Sequence, residues 1–140
     1  KLRDHFGGDL SGKKIAVWGL AFKPNTDDIR EAPALYMIEA LLNEGAEVTA
    51  FDPEAMNNVK ALLGNKIRFA DNQYSALEGA DALLIATEWN EFRTPDFEKM
   101  NVLLKRKVIF DGRNLFDISQ MEALGYEYVS IGRRAVSSRK

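Results

Sequence analysis

The segment Gly19-Leu20-Ala21-Phe22-Lys23-Pro24-Asn25-Thr26-Asp27-Asp28-Ile29-Arg30-Glu31 concentrates the groups best suited to hold an anion. Lys23 meets a phosphate as a point charge, Arg30 forks onto phosphate or carboxylate oxygens, and Phe22 offers an aromatic face to a ring. The same two cations could instead pair with Asp27, Asp28 or Glu31 in a solvated loop, and residue type alone leaves both readings open. A dinucleotide fingerprint would place three closely spaced glycines here. This stretch has only Gly19, followed by bulky Phe22, so a pyrophosphate cannot lie against the first turn in the usual way.

Three other short segments carry polar groups that could serve a ligand. Asp52 stands where a dinucleotide fold keeps its ribose-binding acid. Followed by Pro53, it could equally cap the next helix. Thr87-Glu88-Trp89-Asn90-Glu91-Phe92 presents aromatics that read as exposed, suited either to stacking on a base or to a domain contact. In Asp111-Gly112-Arg113-Asn114 the glycine permits a tight turn, and Arg113 can bind phosphate or sugar or form a surface ion pair.

Composition removes several chemistries. With no cysteine there is no disulfide framework, thiolate metal site or cysteine nucleophile. The single histidine, His5, sits among charged residues near the start, which argues against a histidine-based triad or metal site. A net charge of −2 gives no broad basic character, so nucleic acid is not an expected partner. The charge is uneven: from Arg133 to Lys140 there are four basic residues and no acidic one. No apolar run approaches the ~18 residues of a membrane span. With 46% hydrophobic and 29% charged residues, a soluble, cytoplasmic domain is expected.

The elements that must position these groups can be read from apolar patterning. Short β-rich runs fall at 14–19, 47–52, 67–70, 82–86, 108–111 and 126–129, and those at 82–86 and 108–111 are nearly continuous, as in strands buried on both faces. Helical spacing occupies 33–43, 55–63, 74–77, 95–104 and 118–124, with Gly45, Gly64 and Gly125 as stops. Pro33 suits the first helical position, which makes Ala32 the cap. The alternation predicts an α/β, doubly wound, Rossmann-like and mostly parallel sheet of about six strands with helices on both faces. Residues 1–12 read as a linker or the end of a preceding helix, 13–132 as one domain, and 133–140 as a basic, disordered tail. Ligands of such a sheet sit beyond the carboxyl ends of the strands, where all four segments fall.

Taken together, Gly19 to Pro33, Phe51-Asp52-Pro53, Thr87-Glu88-Trp89 and Phe110-Asp111-Gly112-Arg113-Asn114 resemble the C-terminal, UDP-binding domain of UDP-glucose 6-dehydrogenases and related nucleotide-sugar dehydrogenases. The resemblance runs from about Gly12 to Gly132, with one departure at Ala32, where the family often has Ser. It implies a larger enzyme with an N-terminal NAD-binding domain and a central helical region, dimeric or higher. That enzyme oxidises the sugar C6 alcohol to a carboxylate in two hydride transfers to NAD, through a cysteine thioester. By resemblance, Phe22, Lys23 and Arg113 would contact the UDP-sugar, Arg113 often that of the neighbouring subunit, and Arg30 the NAD between domains. No catalytic residue and no metal ligand is assigned to this chain, which would be inactive alone.

Other readings are a free-standing nucleotide-binding or oligomerisation module, and a domain of a UDP-N-acetylmannosamine or GDP-mannose dehydrogenase. A phosphoacceptor receiver domain shares the sheet, but Asp111-Gly112-Arg113 lacks the lysine it needs after the fifth strand.

Overall fold

A computed structural model describes residues 10–21, 28–29 and 32–130. Six strands form one sheet: β1 (Lys14–Trp18), β2 (Glu47–Phe51), β3 (Arg68–Phe69), β4 (Ala82–Ile85), β5 (Val108–Asp111) and β6 (Glu127–Ser130). They lie in the order β3-β2-β1-β4-β5-β6, and every pairing is parallel. The helices are α1 (Pro33–Asn43), α2 (Met56–Leu63), α3 (Asn90–Arg93), α4 (Phe97–Leu103) and α5 (Ile118–Leu124). The predicted doubly wound α/β sheet is therefore present and parallel throughout, with single 3-10 turns at Gly64–Lys66 and Ser75–Leu77. The latter replaces the helix expected at 74–77, and α3 lies in what the sequence presented as a loop.

Alternation along the strands builds a core on each face. Ile15, Val17, Val48, Ala50, Leu84 and Phe110 pack with Ile38 and Leu41 of α1 and Val59 of α2. The intervening Ala16, Trp18, Leu83, Ile85 and Ile109 pack the opposite way, against Phe92 of α3, Met100 of α4 and Met121 of α5. Because both faces are covered, the central strands carry apolar residues at nearly every position. On the second face Trp18 stacks on Phe92 at a centroid separation of 5.0 Å, and its indole Nε1 donates to the Gln73 carbonyl at 2.8 Å.

Helix ends follow local chemistry. Pro33 opens α1, and Ala32 is its cap without any side-chain hydrogen bond, as the sequence predicts. Asp96 caps α4 through the amides of Glu98 and Lys99. Leu10, at the head of the described residues, is buried in the first core, and the Gly12 amide donates to the Gly45 carbonyl at 3.1 Å. Residues 1–9 and 131–140, which hold most of the expected linker and the whole basic tail, lie outside the described residues.

The strand order reverses between β1 and β4, where an open α/β sheet forms its crevice. Gly19 closes the carboxyl end of β1 with φ of +99°, its backbone pressed against Thr87 beyond β4. A Cβ there would come within 2.5 Å of the Thr87 Cβ. Gly19→Ala is expected to cost at least ~2 kcal/mol of folding free energy, from left-handed strain and overpacking together. Urea denaturation of the 140-residue chain measures it.

Candidate functional site

At the carboxyl edge of the sheet the organising group is Asp52, which follows β2 and is fully buried. Its Oδ2 accepts from the amides of Leu20 and Ala21 at 2.6 and 3.1 Å and from the indole Nε1 of Trp89 at 3.2 Å. Its Oδ1 accepts from the amides of Glu54 and Ala55, each at 2.8 Å, on the approach to α2. Five donors use the accepting capacity of one carboxylate, so nothing remains for a ribose hydroxyl. Asp52 is a structural anion. It takes the amides after β1 that a dinucleotide fold would turn toward a pyrophosphate, which is why a glycine fingerprint is missing there.

The segment after β4 is held to the same point. Thr87 is buried and its hydroxyl donates to the Ala21 carbonyl at 2.8 Å. Trp89 is only 6% exposed and Phe92 is fully buried, which corrects the expectation of aromatics displayed to a base or a partner domain. Their rings fill the second core, and the polar tip of Trp89 ends on Asp52. Between the two anchors Glu88 turns a partly exposed side chain outward.

The loop after β5 is pinned with equal care. The Asp111 Oδ1 accepts from the Arg113 amide at 2.8 Å, while its Oδ2 accepts from the Leu115 amide and the Tyr128 hydroxyl, each at 2.6 Å. Tyr128 is itself fully buried and accepts from the Phe116 amide. The Gly112 amide donates to the Ile85 carbonyl at 2.9 Å, and Asn114 adopts a left-handed φ of 58°, a conformation asparagine tolerates. Arg113 thus stands on a rigid turn. Its Nε donates to the Glu88 Oε1 at 2.8 Å, with the two side chains 32% and 28% exposed.

Burial alone would raise the Glu88 carboxyl, but the hydrogen bond from Arg113 and the charges of Arg113 and Arg93 outweigh it and leave the group below its ordinary value. Beside this pair a groove of about 760 Å³ opens between α1 and the sheet, lined by Met37, Leu41, Leu84, Phe110, Gly112 and Arg113. Of the four residues assigned from the sequence, Arg113 is therefore placed in a defined setting at the carboxyl edge. Phe22, Lys23 and Arg30 lie outside the described residues. Sequence reading did not single out Glu88, Asp111 or Tyr128. The signal for the first was its place just beyond a strand adjacent to that of Arg113. No metal-binding cluster occurs among the described residues, and none of their helices is long and apolar enough to cross a membrane.

Replacing Asp52 by Asn would set an amide NH2 against two or three buried donors. At ~1–3 kcal/mol for each donor left unsatisfied, the variant should lose about 3 kcal/mol or more of stability, read from urea denaturation at neutral pH. A loss under about 1 kcal/mol would contradict the role given to Asp52.

Comparison with known proteins agrees with this arrangement. Residues 16–118 match the model of the UDP-glucose/GDP-mannose dehydrogenase family, UDP binding domain. The chain is 49% identical over 129 residues to the UDP-glucose 6-dehydrogenase TuaD of Bacillus subtilis, covering 92% of this chain and 28% of that protein. It is 46% identical over 137 residues to the UDP-glucose 6-dehydrogenase of Pseudomonas aeruginosa, covering 94% and 30%. The chain thus spans under a third of these relatives' length. Among solved structures, a UDP-glucose dehydrogenase from Pyrobaculum islandicum superposes with a TM-score of 0.75 at 32% identity, over 94% of this chain and 27% of that one. A UDP-D-ManNAc dehydrogenase from Pyrococcus horikoshii does so with a TM-score of 0.74 at 32% identity, over 94% and 28%. With its parallel sheet, its switch-point loops and nearly its whole length accounted for by these relatives, the chain belongs to the UDP-glucose/GDP-mannose dehydrogenase family, as a UDP-binding domain.

Proposed function

We propose that this chain is the C-terminal, UDP-sugar-binding part of a cytoplasmic NAD-dependent UDP-glucose 6-dehydrogenase, which oxidises the C6 alcohol of UDP-glucose to the carboxylate of UDP-glucuronate. The observation that carries the reading is Arg113, held on a pinned turn at the carboxyl edge beside a groove large enough for a nucleotide. A guanidinium there meets a diphosphate through charge-assisted, forked hydrogen bonds. Lys23 adds a second cation and Phe22 an aromatic face, both just after β1 in the sequence, and Arg30 serves the NAD.

The remaining machinery belongs to other parts of the enzyme. The chain has no cysteine to carry a thioester. The Leu20 and Ala21 amides are committed to Asp52, so the switch point does not suit the pyrophosphate of NAD. The substrate side is what this domain is built for, working with the N-terminal and central domains and with a second subunit. The likeness to a UDP-D-ManNAc dehydrogenase favours one other reading, in which the oxidised sugar is an N-acetylated hexosamine. The uridine diphosphate contacts are common to both, so the full-length enzyme's turnover of each sugar nucleotide separates them.

Calorimetry with UDP tests the binding role. The 140-residue chain should bind UDP, and Arg113→Ala or Lys23→Ala should each weaken binding by ~1.5–3 kcal/mol, the worth of a charge-assisted contact. Unchanged affinity in both variants would refute the assignment. The chain alone should give no NADH from UDP-glucose and NAD, and measurable turnover would show that its catalytic groups had been misjudged.

A further inference from the structure

We infer that Glu88 is a positioning residue for UDP-sugar binding, its carboxylate holding the Arg113 guanidinium by Nε so that the terminal nitrogens are left for the diphosphate. The inference rests on the reading of Arg113 as a UDP ligand. Three observations carry it. The Nε–Oε1 bond of 2.8 Å is the hydrogen bond and ion pair of the Arg113 side chain among the described residues, and by engaging Nε it leaves the pair of terminal nitrogens for a forked contact with a phosphate. Both backbones are fixed independently of the ion pair, Glu88 between Thr87 and Trp89, Arg113 by Asp111. The two side chains rise from the ends of neighbouring parallel strands, since Ile85 of β4 pairs with Asp111 of β5.

Stability does not explain such a pair. Ion pairs this exposed contribute little to folding, because solvent screens the attraction and two long side chains must be ordered. Ordering is what a binding site gains from it. A free arginine loses its rotamer freedom when a ligand arrives, whereas one already held has less to lose. A carboxylate beside an anion site also carries an electrostatic penalty, and that gives the proposal an unusual signature. If Glu88 acted only as a nearby charge, removing it would tighten the binding of UDP. If it acts by holding Arg113, removing it weakens binding despite the relief of repulsion.

The test uses UDP as the probe and calorimetry on the 140-residue chain. Glu88→Ala is expected to weaken UDP binding about two- to ten-fold, the range left by lost ordering against relieved repulsion. Glu88→Gln, whose amide oxygen still accepts from Nε, should recover most of the affinity. In an Arg113→Ala background Glu88→Ala should no longer weaken binding, and the relieved repulsion should leave it equal or slightly tighter. Equal or tighter binding by Glu88→Ala overturns the inference, and so does a full penalty that persists without Arg113. Failure of the underlying reading looks different: either the unsubstituted chain does not bind UDP, or Arg113→Ala leaves binding unchanged. Carboxyl NMR supplies a measurement independent of ligand. The Glu88 carboxyl should titrate below the ordinary glutamate range, because Arg113 holds it ionised, and should rise in Arg113→Ala. No movement between the two would mean that the pair does not exist in solution.

Discussion

The carboxylate of Asp52 joins three segments far apart in the chain: the turn after β1, the approach to α2 and the indole of Trp89. Buried polar groups carry a large cost when unpaired, and four backbone amides converge here where the sheet ends and no further strand can receive them. A single anion satisfies them all. In a dinucleotide fold the amides after the first strand are kept for a ligand's phosphate. Here a side chain of the protein stands in that place permanently, which stabilises the fold and removes the usual phosphate subsite from the switch point.

That substitution shifts the ligand chemistry outward. With the innermost amides occupied, the groups left to meet a ligand are side chains that reach beyond the strand ends, and these must be rigid to be selective. The turn after β5 achieves this with a second carboxylate, Asp111, which organises the Arg113 and Leu115 amides and the Tyr128 hydroxyl. The two aspartates have parallel roles on the two halves of the sheet. Asp52 ties the turn after β1 to the segment containing Glu88, and Asp111 ties the turn containing Arg113 to β6. The Glu88–Arg113 pair bridges the two assemblies at their rim.

Much of this architecture is legible in the sequence. All six strands were recognisable as short β-rich runs, most plainly Ala82 to Ile85 and Val108 to Asp111, because strands covered on both faces are apolar nearly throughout. Helices α1, α2 and α5 showed their period and a glycine stop. What escaped was short or context-dependent. Helix α3 has four residues, too few for a periodic pattern, and its polar neighbours made Trp89 and Phe92 read as exposed. Their burial follows from Trp18 and Phe51, which come from other strands and receive Phe92 in ring contact.

The chain's own residues determined the α/β class, the number of strands, the places where loops gather and the family to which those loops belong. All of these follow from local periodicity and local residue type. Tertiary structure alone decided what each polar group does there. Asp52 reads equally as a ligand for ribose or as a cap, because nothing adjacent to it reveals that the amides of Leu20 and Ala21 lie within reach. Nothing local in the sequence pairs Glu88 with Arg113 until β4 and β5 are set side by side. A hydrogen bond depends on a distance of about 3 Å in space, and for partners so far apart in the chain only the order of the strands supplies it.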